Sequence, residues 1–429
     1  MTDPYPFRLF QAFGIELEYV IVDADTLDVR PVADRLLQAV AGSSVSEVEC
    51  GDVAWSNELV LHVIELKTNG PAASFDGLGE RFQQSVGQIN HLLEPLGAKL
   101  MPTGMHPWMN PATQTRLWPH EYSSVYRAYH RIFNCHRHGW ANLQAVHLNV
   151  PFAGDEEFGR LHAAIRLVLP LLPALAASTP VVDGHLSGLL DTRLDVYRTN
   201  AIRIPSLTGR VIPEPVFTRA EYERRILKRM YQDIRPYDAR GTLQHEFLNS
   251  RGAIARFDRG TIEIRLLDMQ ECPAADVAIC AVVARVLQTL TEQRHADRAT
   301  QSAVATDRLV NILLATIREA ERATIADAEY LDLFGFPGDR CTAGELWHHL
   351  CHEALPHGRA PDRVAEGSES IPVHRAPPWA EPVRCILRDG PLARRIVAAL
   401  GGDCSPARMR EVYGSLSDCL AEGRMFLSG

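Results

Sequence analysis

The sequence predicts an α+β protein built on a mostly antiparallel β-sheet with one apolar face and one polar, functional face. Four segments alternate with period two, which places apolar side chains on one side and acids, a histidine or an arginine on the other. Segments with a helical spacing of apolar residues separate these strands and could cover the apolar face. The chain has 429 residues, of which 46% are hydrophobic, so it is long enough to bury a large core.

The first alternating segment spans residues 13–21. Glu16 and Glu18 share one face of the predicted strand, and Ile15 and Leu17 share the other. Two carboxylates this close repel each other unless a cation lies between them. An exposed edge strand is the alternative explanation of the same pattern.

The second segment, residues 55–67, carries Glu58 and Glu65. These residues are seven positions apart, so a straight strand would place them on opposite faces. Either a bulge lies between them or Glu58 belongs to the preceding turn. Glu65, between Ile64 and Leu66, is the stronger candidate, because a carboxylate with such neighbours needs a partner.

The third and fourth strands carry a histidine and an arginine. His147 and Asn149 share one face of the third strand, although a strand histidine is more often a structural hydrogen-bonding residue than a ligand. In the fourth strand, residues 261–268, Glu263 and Arg265 lie side by side opposite an apolar face. Such a pair on one strand is ordinarily solvated surface, but the recurrence on four strands favours a functional face.

The remaining regular segments are predicted to be helical, and the apolar segment at residues 273–294 suits the apolar face of the sheet. Further helices are predicted at residues 34–41, 75–96, 123–135, 221–232, 306–326, 343–354, 391–401 and 405–422. The strand-like segments with a polar face end before about residue 295, and mostly helical segments follow. We therefore expect a core that carries the functional face at residues 1–295 and a mostly helical C-terminal region, packed on it, at residues 296–429.

Composition excludes several classes of protein. With 53 acidic residues against 44 Lys and Arg, the net charge is −9, which argues against a general nucleic-acid-binding protein. The nine cysteines are odd in number and form no CxxC pair, so a secreted disulfide framework is not expected. Residues 1–13 lack the pattern of a signal peptide, and the apolar residues 161–177 are broken by arginine and proline. We expect a soluble, cytoplasmic protein that acts on small molecules, away from membranes; the oligomeric state is open, with a homodimer as one option.

The polar-face residues are the ligands of hard divalent cations. Carboxylates with one imidazole and no thiolate suit Mg²⁺ or Mn²⁺ better than structural zinc, and more than three carboxylates indicate more than one ion. Several Mg²⁺ ions in a groove can hold a triphosphate during phosphoryl transfer. Arg265, beside Glu263, is placed to stabilise the transferred group. The sequence has no GxxxxGK[ST] or GxGxxG motif, so ATP would bind through metals and the sheet face.

Six motifs in order, between about residues 10 and 290, carry a family resemblance. They are Gly14-Ile15-Glu16-Leu17-Glu18, the pair Glu58 and Glu65, Gly104-Met105-His106-Pro107, Val146-His147-Leu148-Asn149-Val150, Ala177-Ser178-Thr179-Pro180 with Gly184, Gly188 and Arg193, and Thr261-Ile262-Glu263-Ile264-Arg265 with Asp268. The chain resembles the glutamate–cysteine ligases of the second type, in the glutamine-synthetase-like group of carboxylate–amine ligases. It departs from the family pattern in the third strand, where His147 is followed by Asn149. This pair combines features of two variants of the family motif.

The resemblance implies a saddle-shaped, mostly antiparallel sheet with helices on its convex face and Mg²⁺-ATP on its concave face. It implies two or three Mg²⁺ ions, with Mn²⁺ as an alternative. The implied metal ligands are Glu16, Glu18, Glu58, Glu65, His147 and Glu263. Arg265 would contact the γ-phosphate and act with Glu263 in catalysis, Arg193 would bind phosphate or a substrate carboxylate, and His147 and Asn149 would lie on the nucleotide side.

The implied reaction is ATP-dependent ligation. A substrate carboxylate attacks the γ-phosphate to give an acyl phosphate, and an amine then displaces phosphate to form an amide. The simplest pair is glutamate and cysteine, which would place the protein in glutathione biosynthesis. The alternatives are another amino acid and amine, a metal-dependent phosphotransferase that forms no amide, and a binding protein without turnover.

Overall fold

An eight-stranded β-sheet forms the centre of the fold, in a computed structural model that describes residues 6–354 and 377–427. The described residues form twelve strands: β1 Gly14–Asp23, β2 Glu47–Cys50, β3 Val53–Asn57, β4 Val63–Thr68, β5 Ala98–Met101, β6 Ala145–Pro151, β7 Val181–Val182, β8 His185–Leu186, β9 Ala253–Arg256, β10 Thr261–Asp268, β11 Thr324–Ile325 and β12 Cys341–Thr342.

The α-helices surround this sheet. Those in the described residues are α1 Ala33–Ala41, α2 Leu78–Leu93, α3 Pro111–Gln114, α4 Ser123–Phe133, α5 His138–Ala141, α6 Gly154–Val168, α7 Pro173–Ala176, α8 Thr192–Tyr197, α9 Arg219–Tyr222, α10 Lys228–Ile234, α11 Pro273–Thr291, α12 Arg298–Ala303, α13 Thr306–Glu319, α14 Ala328–Asp332, α15 Ala343–Ala354, α16 Ala380–Asp389, α17 Leu392–Leu400 and α18 Pro406–Glu422. A π-helical segment, Glu223–Leu227, joins α9 to α10.

The strand order is β2-β3-β4-β1-β6-β10-β9, with β5 paired to the C-terminal half of β1. All the pairings that the described residues make in this sheet are antiparallel. Glu18 lies opposite Glu65 on β4, and Glu16 lies opposite His147 on β6. The predicted α+β architecture with a mostly antiparallel sheet is confirmed, and its register brings the polar positions of separate strands into adjacent rows.

The other face of the sheet forms the core. Ile15, Leu17 and Tyr19 of β1 are fully buried, as the alternation predicted. Helix α11 packs against β1, β6, α2 and α6, and the Tyr19 hydroxyl lies 3.5 Å from Asp276 Oδ2 on α11. Helix α11 is the one described helix long and apolar enough to cross a membrane, but 78% of its apolar window is buried inside the protein. It is therefore a core helix of this fold.

Two predicted elements were wrong in their extent. The single strand at residues 55–67 is a hairpin of β3 and β4, joined by residues 58–62. That connection contains neither glycine nor proline, so no turn signal marks it in the sequence. The helix predicted to reach residue 326 ends at Glu319, because Ala320 adopts a left-handed φ of 49° and the chain continues into β11.

The C-terminal helices share the hydrophobic core of the sheet. Helices α13, α15 and α16 contribute to the same buried cluster as β1 and α11. Helices α17 and α18 pack with β5 and the end of β1 around Tyr413, Leu416 and Ile396. Residues 355–376 and 428–429 lie outside the described residues, and the division of the chain near residue 295 stays a prediction.

A buried ion pair joins these last helices to the end of β10. Arg395 of α17 binds Glu271, just beyond β10, and both side chains are almost fully buried. The same guanidinium donates to the carbonyl of Phe426 at 2.7 Å and to that of Gly390 at 3.2 Å. Arg395 therefore ties α17, the chain after α18 and the sheet together.

Replacing Arg395 by leucine should lower the free energy of unfolding by about 3–5 kcal/mol, since Glu271 would keep a buried charge without its partner. Urea denaturation monitored by circular dichroism measures this difference. The control is Arg388→Ala on α16, whose exposed ion pair with Asp389 is screened by water. A loss no larger than that of the control would contradict the structural role of this pair.

Candidate active site

The polar face of the sheet brings together carboxylates from three strands and a connecting loop. Glu16 and Glu18 lie on β1, Glu65 on β4 and Glu263 on β10, and only Glu16 is more than slightly exposed. Asn149 of β6 lies opposite both Gly14 and Glu263, and donates to Glu16 Oε1 at 3.2 Å. A single strand pattern could not show this convergence, because it depends on the pairing of strands far apart in the chain.

His147 is the centre of this cluster. Its Nδ1 lies 2.8 Å from Glu16 Oε2 and 4.0 Å from Glu263 Oε1, whereas its Nε2 lies 3.8 Å from Glu18 Oε1. Burial would lower the pKa of His147, but the hydrogen bond with Glu16 and the charge of Glu18 raise it overall. The two ring nitrogens thus face different carboxylates: Nδ1 faces Glu16 and Glu263, and Nε2 faces Glu18.

Burial and neighbouring charges shift the pKa values of the carboxylates in opposite directions. Burial raises the pKa of Glu65 from 4.5 to about 7, and the Glu16 charge adds to the rise. Burial, with the charges of Glu18 and Glu65, raises the pKa of Glu58 well above its usual value. For Glu16, burial is outweighed by His147 and Arg265, and its pKa falls to about 2. Several of these charges therefore need positive neighbours.

These residues fit divalent cations. Glu16, His147 and Glu263 form one group whose ligand atoms lie within 4.8 Å of one another, and Glu18, Glu65 and His147 form a second. The donors are oxygens and one imidazole, the set that Mg²⁺ and Mn²⁺ accept. Bound cations would stabilise the charged form of Glu65, whose pKa is raised by burial and by the Glu16 charge.

Glu58 lies outside both groups. It directly follows β3, on the turn that precedes β4, which answers the question posed by its spacing from Glu65. The turn, not a bulge, lets it reach the same side of the sheet. Its carboxylate lines both cavities of the site described below.

Three cationic side chains face the carboxylates. Arg265 Nε lies 3.2 Å from Glu263 Oε1, and Arg256 Nη1 donates to Glu263 Oε2 at 3.3 Å. Lys67 Nζ lies 3.7 Å from Glu65 Oε1. Sequence reasoning missed Arg256 and Lys67. Lys67 could have been found by parity, since it follows Glu65 by two positions on the same strand, whereas Arg256 needed the recognition of β9.

Arg193 holds the end of β10 in place. Its Nε pairs with Asp268, and its Nη2 donates to the carbonyl of Arg265 at 3.3 Å. The Asp268 carboxylate also accepts from Ser178 N at 2.9 Å and Thr179 Oγ1 at 3.0 Å. A Cβ on Gly104 would lie 2.8 Å from Asp268 Cγ, so glycine is required there. Three of the six sequence motifs, those that contain Gly104, Arg193 and Asp268, thus meet at one buried aspartate.

Two cavities adjoin across this cluster. The first, of about 670 Å³, is lined by the carboxylates together with Asn149, Lys67, Arg256 and Arg259. The second, of about 450 Å³, is lined by Arg193 and by many aromatic side chains. Glu18, Glu58, His147 and Arg265 line both. Arg193 lies on the second cavity and not on the first.

Comparison of the sequence with models of protein families identifies the family of this chain. The model of glutamate–cysteine ligase family 2 matches residues 12–367, most of the chain. The chain belongs to this family. As a member, it is an ATP-dependent ligase that forms amide bonds, and the resemblance found in its motifs is confirmed.

Individual relatives and one solved structure are similar to the chain over most of its length. The chain is 37% identical over 284 residues to an uncharacterised protein of Archaeoglobus fulgidus, covering 66% of this chain and 76% of that protein. It is 25% identical over 397 residues to a candidate glutamate–cysteine ligase 2-3 of Rubrobacter xylanophilus, covering 88% and 93%. The solved glutamate–cysteine ligase of Francisella tularensis, in complex with AMP, has the same fold, with a TM-score of 0.56, 13% identity and coverage of 96% and 90%. The predicted glutamine-synthetase-like fold is confirmed.

Without divalent cations, Glu65 should destabilise the folded protein increasingly as the pH rises from 4.5 to about 7. The unfolded chain loses this proton first, so stability falls across that window. Glu65→Gln should remove this dependence and raise the free energy of unfolding at pH 8 by about 1–3 kcal/mol. Urea titrations at several pH values, with chelator, measure it.

Glu80→Gln, at an exposed position of α2, is the matched control and should leave the pH dependence unchanged. Added Mg²⁺ should reduce the advantage of Glu65→Gln, since the cation would stabilise only the carboxylate form. A Glu65→Gln protein that is less stable than the parent in chelator would refute the repulsion argument.

Proposed function

We propose that this protein joins an amino-acid carboxylate, with glutamate as the first donor to test, to an amine at the expense of ATP. The observation that carries the proposal is the cluster of carboxylates and His147 on the boundary between two cavities. One cavity suits a triphosphate and the other suits the substrates. The bond-forming atoms would then meet where the charged residues are concentrated.

The first cavity supports nucleotide binding. Arg256, Arg259, Lys67 and Arg265 line it and supply the positive charge that phosphate oxygens require. The glutamate–cysteine ligase of Francisella tularensis, which shares the fold, was solved with AMP. We therefore assign the first cavity to ATP and infer that its phosphates point toward His147 and Arg265.

Phosphoryl transfer is the first step of the proposed reaction. A carboxylate oxygen of the donor attacks the γ-phosphorus, the bond to the β-phosphate oxygen breaks, and ADP and an acyl phosphate form. Arg265 lies on both cavities and can donate to the transferred phosphoryl oxygens as their charge develops. Glu263 holds this guanidinium in position through the 3.2 Å ion pair.

Amide formation is the second step. The amine nitrogen attacks the carbonyl carbon of the acyl phosphate, and the carbon–oxygen bond to phosphate breaks. The ammonium loses two protons, of which one remains on the released phosphate and one goes to water. Arg193, held by Asp268 on the wall of the second cavity, is proposed to bind a carboxylate of the donor.

Divalent cations complete the proposal. Glu16, Glu18, Glu65, His147 and Glu263 would hold them, with Glu58 as a further ligand, and Asn149 would orient Glu16. Two or three Mg²⁺ ions, or Mn²⁺, would neutralise the phosphate charge during transfer. The cytoplasmic location and the place in glutathione biosynthesis stay predictions, the second dependent on the substrates.

Glu263→Gln and Arg265→Lys should each lower the rate of ATP-dependent phosphate release by about 10²–10³-fold, as expected when one preorganised charged group at the reacting phosphoryl group is lost. The assay contains Mg²⁺-ATP, a panel of amino-acid donors that begins with glutamate, and hydroxylamine. Hydroxylamine is small and traps an acyl phosphate as a coloured hydroxamate.

Glu292→Gln, at the exposed end of α11, is the matched control and should retain the parental rate. Circular dichroism and the urea midpoint establish that each variant is folded. Hydroxamate with the parent, and little with the two variants, supports the proposal. A phosphorylated donor without hydroxamate or amide would identify a phosphotransferase, and Glu263→Gln with full activity would overturn the site assignment.

A further inference from the structure

The outer wall of the second cavity is aromatic. Six rings form it: Tyr122, Tyr126, Tyr129, Trp140, Tyr197 and Phe247. Tyr126 and Tyr129 are three residues apart on α4 and so lie on one side of that helix. Val125, Leu143 and Leu59 extend the apolar surface between the rings. A wall of this kind binds an apolar or aromatic group and offers little to a small polar one.

Most of the polar atoms of these rings are occupied by the protein. The Tyr126 hydroxyl accepts from Asn57 Nδ2 at 2.9 Å, and the Tyr197 hydroxyl donates to the carbonyl of Arg251 at 3.2 Å. Trp140 Nε1 donates to the carbonyl of Asn200 at 3.3 Å. These contacts orient the three rings, and the ring faces offer a ligand carbon surface.

The rings also hold one another in place. The Trp140 ring lies 5.1 Å from that of Tyr129, and it stacks on Phe133 at 5.2 Å with an interplanar angle of 21°. These contacts fix the rings of the wall relative to one another. A cavity of about 450 Å³ has the size of a small-molecule site.

Positive charge is confined to the side of the cavity that faces the sheet. Among the described residues on its lining, the cationic side chains are Arg193, Arg265 and His147. His147 and Arg265 also line the nucleotide cavity, and Arg193 is fixed at the end of β10. These groups serve the donor and the phosphates. A carboxylate on the second substrate would lie against aromatic rings and near the carboxylates of Glu18 and Glu58, without a cationic partner of its own, which is unfavourable.

We propose, on the basis of the ligase function above, that the amine substrate is a primary amine that bears an aromatic or bulky apolar group and no carboxylate. Its nitrogen reaches the acyl phosphate beside Arg265, and its apolar group packs on the wall of Tyr129, Trp140 and Tyr197. The bond changes are those of the amide-forming step already given. Cysteine, the amine in the family's name, has no bulky apolar group and carries a carboxylate.

The test compares amines in the presence of Mg²⁺-ATP and of the donor that gives hydroxamate. The four amines are 2-phenylethylamine, ethylamine, phenylalanine and cysteine, with phosphate release and product mass as readouts. We expect kcat/KM for 2-phenylethylamine to exceed that for each of the others by at least about tenfold, the discrimination that an apolar pocket gives for a missing hydrocarbon group. Comparison with ethylamine measures the contribution of the aromatic ring, and comparison with phenylalanine measures the effect of a carboxylate on the amine.

Two variants locate this preference in the pocket. Trp140→Leu should raise KM for 2-phenylethylamine by about tenfold. Tyr122→Asn provides the same test without a folding risk, because Tyr122 is 56% exposed and has a φ of 67°, which asparagine tolerates. Trp379→Leu, at a half-buried tryptophan before α16 on another surface, is the control and should leave this KM unchanged.

The outcomes separate this inference from the ligase function. No hydroxamate with any donor would overturn the ligase function itself. Hydroxamate with equal or better use of cysteine, phenylalanine or ethylamine would overturn the inference and keep the ligase. An amide of 2-phenylethylamine whose KM is unchanged in both pocket variants would also overturn it.

Discussion

The concentration of negative charge on one face of the sheet is the constraint on which the rest of the site depends. Four buried or half-buried strand glutamates, with Glu58 beside them, surround one imidazole. Each charge loses hydration on burial, and each raises the cost of its neighbours. The cluster persists because antiparallel hydrogen bonding and a fully apolar opposite face fix the strands. Arg256 and Arg265 supply part of the positive charge that such a cluster requires, and the proposed divalent cations would supply more.

The rigidity of the site has a second source at the end of β10. Asp268 gathers the guanidinium of Arg193, the backbone and hydroxyl of Ser178, and the hydroxyl of Thr179. This node also fixes the carbonyl of Arg265 through Arg193. The backbone of Arg265, whose side chain lies at the boundary of the two cavities, is thus held by a buried hydrogen-bond network. In the proposed mechanism, Arg265 would therefore need little reorganisation as charge develops on the phosphoryl group.

The arrangement of two cavities on one charged boundary links the fold to ligase chemistry. The first cavity is polar and cationic, whereas the second is mostly aromatic. In the proposed reaction, the phosphoryl group crosses the boundary between them next to Arg265, which lines both cavities. The proposed specificity for the amine would depend on the aromatic wall, most of which lies on α4, α5 and α8 and not on the sheet.

The sequence by itself determined the sheet and most of its polar face. Period-two alternation fixed the side on which Glu16, Glu18, His147, Asn149, Glu263 and Arg265 lie, because in a strand the direction of a side chain is a local property. The tertiary structure decided which strands are neighbours, and hence the contacts of His147, the role of Arg256 and the reach of Glu58 from its turn. It also decided the aromatic wall, whose rings come from several separate segments of the chain. Long-range pairing and packing depend on the whole chain, so no local pattern could specify them.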